Sequence, residues 1–197
     1  MIWIGLTGGI ACGKSTVSNL FKGLGVSVLS ADDLSHQALG LAESIAEITK
    51  IFNSSVLTKQ GDVDRKKLGQ IVFTDPLKLR KLEDIIHPIV KKNVCKWKEE
   101  REAEGKKLAI YDVPLLFEKK MQQEFDGIIV VSCKPELQIE RLIRRDHLSE
   151  KEAQIRIKAQ LPIEEKIQQA DWSIENSGSE QDLLVKVQEV LKLLNLR

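Results

Sequence analysis

The chain has 197 residues, enough for one domain or one core with modest insertions. At 42% hydrophobic and 30% charged it can bury a sizeable core, which excludes the disordered class. Thirty Lys and Arg against 29 Asp and Glu leave a net charge of +1, which argues against a dedicated nucleic-acid or membrane-surface binder.

Met1–Thr7 is a short apolar run closing on a glycine pair and predicts a buried strand. Residues 14–24 carry helical spacing, with Val17, Leu20, Phe21 and Leu24 on one face. Val26–Ser30 predicts a second strand. Strand, glycine loop, helix, strand is the opening of a parallel α/β sheet. The stretch 34–107 predicts mostly helix, with a turn at KQGDVD; an ordinary crossover is far shorter, so a helical insertion standing off the sheet is expected. Leu108–Val113 and Gly127–Cys133 predict two further buried strands. Residues 143–169, polar and rich in Arg, Lys, Glu and Gln, predict a mobile helical lid. A short strand is expected at Trp172–Glu175, then an amphipathic helix in DLLVKVQEVLKLLNL. The expected division is a core of about 1–33, 107–145 and 170–197, an insertion of about 34–106 and a lid of about 146–169.

Cys12, Cys95 and Cys133 are odd in number and far apart, with no C-x-x-C pair, and His36, His87 and His147 make no ligand spacing. A disulfide scaffold and a structural zinc site are excluded on that arithmetic, and free thiols suit a reducing cytosol. MIWIGLTGG has no basic flank and too short an apolar run for a signal peptide or membrane anchor, so a soluble cytoplasmic protein is expected.

Gly8-Gly9-Ile10-Ala11-Cys12-Gly13-Lys14-Ser15 fits G-x-x-x-x-G-K-[ST] between a predicted strand and a predicted helix. Chance supplies such a match in about one chain in 150 of this length, before context is counted. Glycines let the backbone wrap a polyphosphate, and the helix N-terminus adds partial positive charge. Lys14 then reaches the β- and γ-phosphates, and Ser15 offers a hydroxyl to Mg²⁺. The chain therefore binds a nucleoside triphosphate. Neither D-x-x-G nor N-K-x-D occurs, which excludes a GTPase of that type. A small phosphate-loop core with an insertion and an arginine-rich lid suits a kinase acting on a small molecule, where water must be kept from the γ-phosphate.

Asp32 stands just past the second strand, at the sheet edge that carries the phosphate loop. Two roles stay open for it: orienting an attacking hydroxyl, or capping the next helix, and for Asp33 the cap is the stronger reading. Arg141 and Arg145, four apart on one helical face with Arg144 three from Arg141, suit phosphoryl oxygens; Arg156 belongs with the lid. Asp112 ends a strand where a metal- or water-holding carboxylate and a simple turn residue are equal readings. His87 precedes Pro88 and alone reads as structural. Two readings stay open for Cys12, beside inward N–H groups and Lys14: a thiol of lowered pKa when ATP is absent, sensitive to oxidants and protected by ATP, or a small residue tolerated in the loop.

The combination resembles the dephospho-coenzyme A kinase family, on LTGGIACGKST, SADDLS, GDVDRKKLGQIVF, LEDIIHPIV, DVPLLFE, ERLIRRD and ADWSIENSG, nearly the whole chain. The resemblance implies a phosphate-loop three-layer α/β fold on a central parallel five-stranded sheet. It implies ATP-dependent phosphorylation of the ribose 3′-hydroxyl of dephospho-coenzyme A, the last step of coenzyme A synthesis, with ATP as co-substrate and Mg²⁺. It implies no nucleic-acid, membrane or obligatory protein partner. Residue by residue, Ala11 to Thr16 would hold ATP phosphates, Lys14 with Arg141 and Arg145 would serve transfer, and Asp32 would face the acceptor hydroxyl. Asn176 matches a position near the adenine, Arg65 and His87 match motif positions in the coenzyme-binding insertion, and Ser15 would hold Mg²⁺, with Asp112 through water. Two departures stand out: Ser30-Ala31-Asp32 where the family commonly has Asp-Ala-Asp, and Ala11-Cys12-Gly13-Lys14 where it commonly has Gly-Ser-Gly-Lys. Ala11 is compatible with the loop if its backbone needs no positive φ. A nucleoside monophosphate kinase and a regulatory phosphate-loop ATPase are the alternative readings.

Overall fold

The computed structural model describes residues 1–195. In chain order its elements are β1 (Ile2–Gly8), α1 (Lys14–Gly23), β2 (Ser27–Ser30), α2 (Ala31–Leu39), α3 (Ala42–Phe52), α4 (Arg65–Val72), α5 (Pro76–Ala103) and β3 (Leu108–Asp112). There follow β4 (Gly127–Ser132), α6 (Pro135–Asp146), α7 (Glu150–Lys158), α8 (Ile163–Gln168), β5 (Trp172–Glu175) and α9 (Glu180–Asn195). The final residues of the expected core, 196 and 197, lie outside the described residues. The chain divides into two compact units, Met1–Ser30 with everything from Arg101 onward, and Ala31–Glu100.

The first unit is built on a five-stranded sheet in the order β2-β3-β1-β4-β5 with every pairing parallel. Strands covered on both faces need apolar residues at nearly every position, which β1 and β4 supply. Alternate residues of β1 serve opposite faces. Ile4 and Leu6 pack with Val17 and Phe21 of α1 and Leu183 and Val187 of α9. On the other face Trp3 stacks on Tyr111 at 5.6 Å between ring centroids, and Phe125 lies 6.3 Å from both. Gly5 is required there, because a Cβ would stand 2.6 Å from Leu116 Cδ1. The register sets Leu6 and Ser30 beside Asp112, Gly8 beside Val131 and Ser132 beside Glu175. The carboxyl ends of the strands thus share one edge, the place where open α/β sheets bind ligands.

The second unit is helical, as its stretch of sequence predicts. Its core is Ile48, Phe52, Val56, Leu68 and Val72, with Leu79, Leu82 and Ile85 of α5 against it. A single antiparallel bridge between Leu57 and Val63 closes the expected turn, and Asp64 caps α4 by accepting from the Lys67 N–H at 3.1 Å. Helix α5 runs 28 residues through Pro88, although proline removes one i→i−4 bond.

Candidate active site

The phosphate loop begins where β1 ends. Gly8 lies against the Val131 carbonyl with no room for a Cβ, and Gly13, the N-cap of α1, has φ 88° with the Asn176 amide at its Cα. Ala11 also takes a left-handed conformation, φ 59°, so the condition set for it, a backbone without positive φ, is not met. No acidic residue stands in the first turn of α1, so its unpaired N–H groups and positive dipole end are left for an anion. Ser15 and Thr16 are exposed there, and the Lys14 ammonium pairs with the buried Asp112 carboxylate at the end of β3.

Side chains hold the loop on three sides. The Asn176 Nδ2 donates to the Cys12 carbonyl at 2.9 Å, while its own backbone N–H reaches the Ser132 carbonyl at 2.8 Å. Arg141 donates to the Asn176 carbonyl at 3.1 Å. Gln138 of α6 donates to the Ile10 carbonyl at 2.9 Å, and the Ile10 N–H donates to Gln160 Oε1, also at 2.9 Å. Asn176 and Arg141 therefore reach the site as supports of the loop, with the Asn176 side chain committed to Cys12. Beneath the loop, Cys12 Sγ and Cys133 Sγ are 3.2 Å apart, both buried. The hydrogen bond to Cys133, then burial, push the Cys12 thiol far up, whereas the bond to Cys12 and the charge of Arg141 bring Cys133 below its ordinary value against burial. The lowered-pKa reading of Cys12 is thus overturned: its sulfur points under the loop toward a second thiol instead of into the anion site.

The arginine cluster is distributed over two helices. Arg145 Nε and Nη2 donate to the two Asp146 carboxylate oxygens at 2.8 and 3.1 Å, and Arg156 Nη1 of α7 donates to Asp146 Oδ2 at 2.7 Å. Hydrogen bonding by Arg145, with the charge of Arg156 added, holds the Asp146 carboxyl below its usual value, and Arg145 is raised in return. The segment after α7 is tied to the core by Glu118, which accepts from the Leu161 N–H at 3.0 Å and stands 2.7 Å from the fully buried Lys166 Nζ. Burial pushes the Glu118 carboxyl up, but Lys166 and the backbone N–H groups outweigh it and bring it below the ordinary range.

In the second unit, Asp32 and Asp33 are exposed in the first turn of α2, a helix that starts directly after β2. Neither is the residue preceding the helix, so the capping role read for both from sequence is displaced, and they meet the positive end of the helix dipole. Arg65 opens α4 and His87 lies in α5; both are exposed. Gln138, Gln160 and Cys133 were not singled out as loop partners from sequence. No local spacing marks them, since only the adjacency of β1 and β4 brings residues around 132 beneath residues around 10.

Among the described residues no three His, Cys, Asp or Glu side chains stand close enough to hold a metal. The exposed Ser15 hydroxyl and the Asp112 carboxylate are a donor set that fits Mg²⁺, which keeps waters and takes phosphate oxygens instead of a full protein cage. Among the described residues no helix is long and apolar enough to cross a membrane.

The model of the dephospho-CoA kinase family, CoaE, matches residues 2–182. The chain is 46% identical over 195 residues to a dephospho-CoA kinase of Bdellovibrio bacteriovorus, covering 98% of this chain and 96% of that one. Among solved structures, dephospho-CoA kinase from Campylobacter jejuni is 32% identical with a TM-score of 0.75, covering 98% and 96% of the two chains. A Thermus thermophilus protein is 34% identical with a TM-score of 0.87, covering 100% and 98%.

Proposed function

The chain belongs to the dephospho-CoA kinase family, and from that premise we propose that it moves the γ-phosphoryl group of ATP to the ribose 3′-hydroxyl of dephospho-coenzyme A, giving coenzyme A and ADP. The observation that carries the ATP half is the loop itself: the Ile10 and Cys12 carbonyls are tied back to Gln138 and Asn176, and the acid-free N-terminus of α1 is left open beside Lys14.

Residues 8–16 cradle the triphosphate, and Lys14 leaves Asp112 for the β- and γ-phosphate oxygens as ATP enters. Ser15, and Asp112 through water, would hold Mg²⁺, which would supply charge neutralisation at the phosphates. Arg141 and Arg145 supply guanidinium groups to the transferring phosphoryl, whose charge spreads over its equatorial oxygens. Arg145 reaches them by exchanging Asp146 for phosphate. Asp32 aims the acceptor hydroxyl and takes its proton. Because the transition state is loose, aiming matters as much as basicity. Arg65 and His87 bind the coenzyme moiety, and Asn176 acts at the nucleotide site through the loop it supports. The enzyme works in the cytoplasm and needs no obligatory protein partner.

Asp32→Asn should lower kcat by roughly 10²–10⁴ with ATP binding retained. Full turnover in that variant would remove Asp32 from the mechanism. Lys14→Ala should impair both ATP affinity and rate, and ordinary kinetics there would refute the loop assignment.

A further inference from the structure

The buried pair of thiols beneath the phosphate loop has no part in phosphoryl transfer. Cys12 lies in the loop and Cys133 immediately follows β4, 121 residues later, yet their sulfurs are 3.2 Å apart. We propose that Cys12 and Cys133 are a reversible oxidation site, closing to a disulfide with a hydroperoxide as oxidant and switching the phosphate loop off.

The two positions are unequal. Cys12 is 1% exposed and packed under Gly9, where a Cβ would stand 2.8 Å from its sulfur; Cys133 is 7% exposed. Arg141 acts electrostatically on both and hydrogen-bonds Cys133, and Cys133, the more exposed of the two and lowered where Cys12 is raised, is the attacking sulfur. The Cys133 sulfur attacks one peroxide oxygen, breaking the O–O bond and becoming the sulfenic acid, while the departing hydroxide takes up the proton that Cys133 gives up and forms water. The Cys12 sulfur then attacks Cys133 Sγ, and the sulfenic oxygen departs as water with the Cys12 proton. Two thiols lose two electrons and two protons, and hydrogen peroxide becomes two waters. A dithiol reductant reverses the bond by exchange.

The bond must draw the sulfurs from 3.2 Å to about 2.05 Å. A shift of about 1 Å is what costs a positioned reaction about 10²-fold. Cys12 transmits the pull directly, because its carbonyl is fixed to Asn176 and its chain neighbours Ala11 and Gly13 are already in left-handed conformations.

The test uses the full chain carrying Cys95→Ser, which removes the one exposed cysteine. After brief treatment with hydrogen peroxide, intact mass should fall by about 2 Da, and proteolysis should release a cross-linked peptide joining Cys12 to Cys133. ADP formation should drop at least tenfold and return with dithiothreitol. Adding Cys133→Ala should abolish the peroxide effect, read against that variant's own untreated rate. The mass reading requires neither that variant nor phosphoryl transfer, whereas the rate reading rests on the function proposed above, so the two can fail separately. No mass loss with both thiols still open to alkylation after denaturation would overturn the proposal. So would a cross-link that leaves the rate unchanged, or equal inhibition of the Cys133→Ala protein.

Discussion

Ala11 holds φ 59° in a loop where a glycine would carry no such strain. A left-handed alanine costs about 1–2 kcal/mol, and glycine gives back about 0.4–1 kcal/mol through the unfolded chain. Ala11→Gly should therefore stabilise by about 0.5–1 kcal/mol, a rise in Tm of about 1–4 °C by calorimetry; a fall would mean that the Cys12 N–H bond to the Gly9 carbonyl and the Asn176 bond to the Cys12 carbonyl do not impose the conformation. At this scale the sequence was uneven. Gly8, Gly13, Lys14 and Ser15 could be read directly because a phosphate cradle demands those residue types at that spacing. The strain at Ala11 could not, since it is fixed by Asn176, 165 residues away in the chain, acting on the neighbouring carbonyl. The thiol of Cys12 was misread for a related reason: its surroundings were taken from its chain neighbours, but its sulfur faces β4.

The segment after α7 is held by two kinds of tie. Gln160 accepts from the Ile10 N–H and so links that segment to the phosphate loop, whereas Glu118 and Lys166 anchor α8. Neither Lys166 Nζ nor Glu118 Oε2 has another aligned hydrogen-bond partner among the described residues, so the pair depends on mutual charge. Removing one member of such a pair costs about 3–5 kcal/mol, and the low end applies because the Glu118 side chain remains 20% exposed. Glu118→Gln should lower Tm by about 6–12 °C. Adding Lys166→Met should recover most of that loss, and a double variant as unstable as the single would refute the ion-pair account. The strands were legible as elements because buried parallel strands are continuous apolar runs, and β5 falls at the residues its pattern predicts. The continuation of α5 across Pro88 agrees with the reading of 34–107 as mostly helix with its turn at KQGDVD, although local propensity favours a break before proline. Packing of Leu79, Leu82 and Ile85 on the second unit's core secures the helix before that point, and the long polar stretch beyond gives no periodic stop signal.

Over the whole molecule, carboxylates set the acid limit. Asp64, Asp75, Asp146, Glu152 and Asp182 are held below their ordinary values chiefly by hydrogen bonds from helix-start N–H groups, Ser hydroxyls or Arg145, and Glu118 by Lys166 against its burial. Each binds its proton more tightly in the unfolded chain than in the folded one. Its stabilisation is present above the unfolded value, near pH 4, and is lost as pH falls through the lower folded value. Tm should be nearly level from pH 7 to 5.5 as far as these groups are concerned and should fall steadily below about pH 4.5; a Tm that rose on acidification to pH 3 would contradict the assignment. Global architecture followed from the order of elements: a strand, a phosphate loop and parallel strands separated by helices leave few topologies. The partners of the loop did not follow, because they are chosen by which strands become neighbours.

ADP release tests the identity of the acceptor. Purified protein with Mg·ATP should release ADP when dephospho-coenzyme A is added, and not with AMP, UMP or CMP or with no acceptor, and mass spectrometry should identify coenzyme A as product. Turnover with a nucleoside monophosphate instead, or ATP hydrolysis indifferent to every acceptor, would contradict the account.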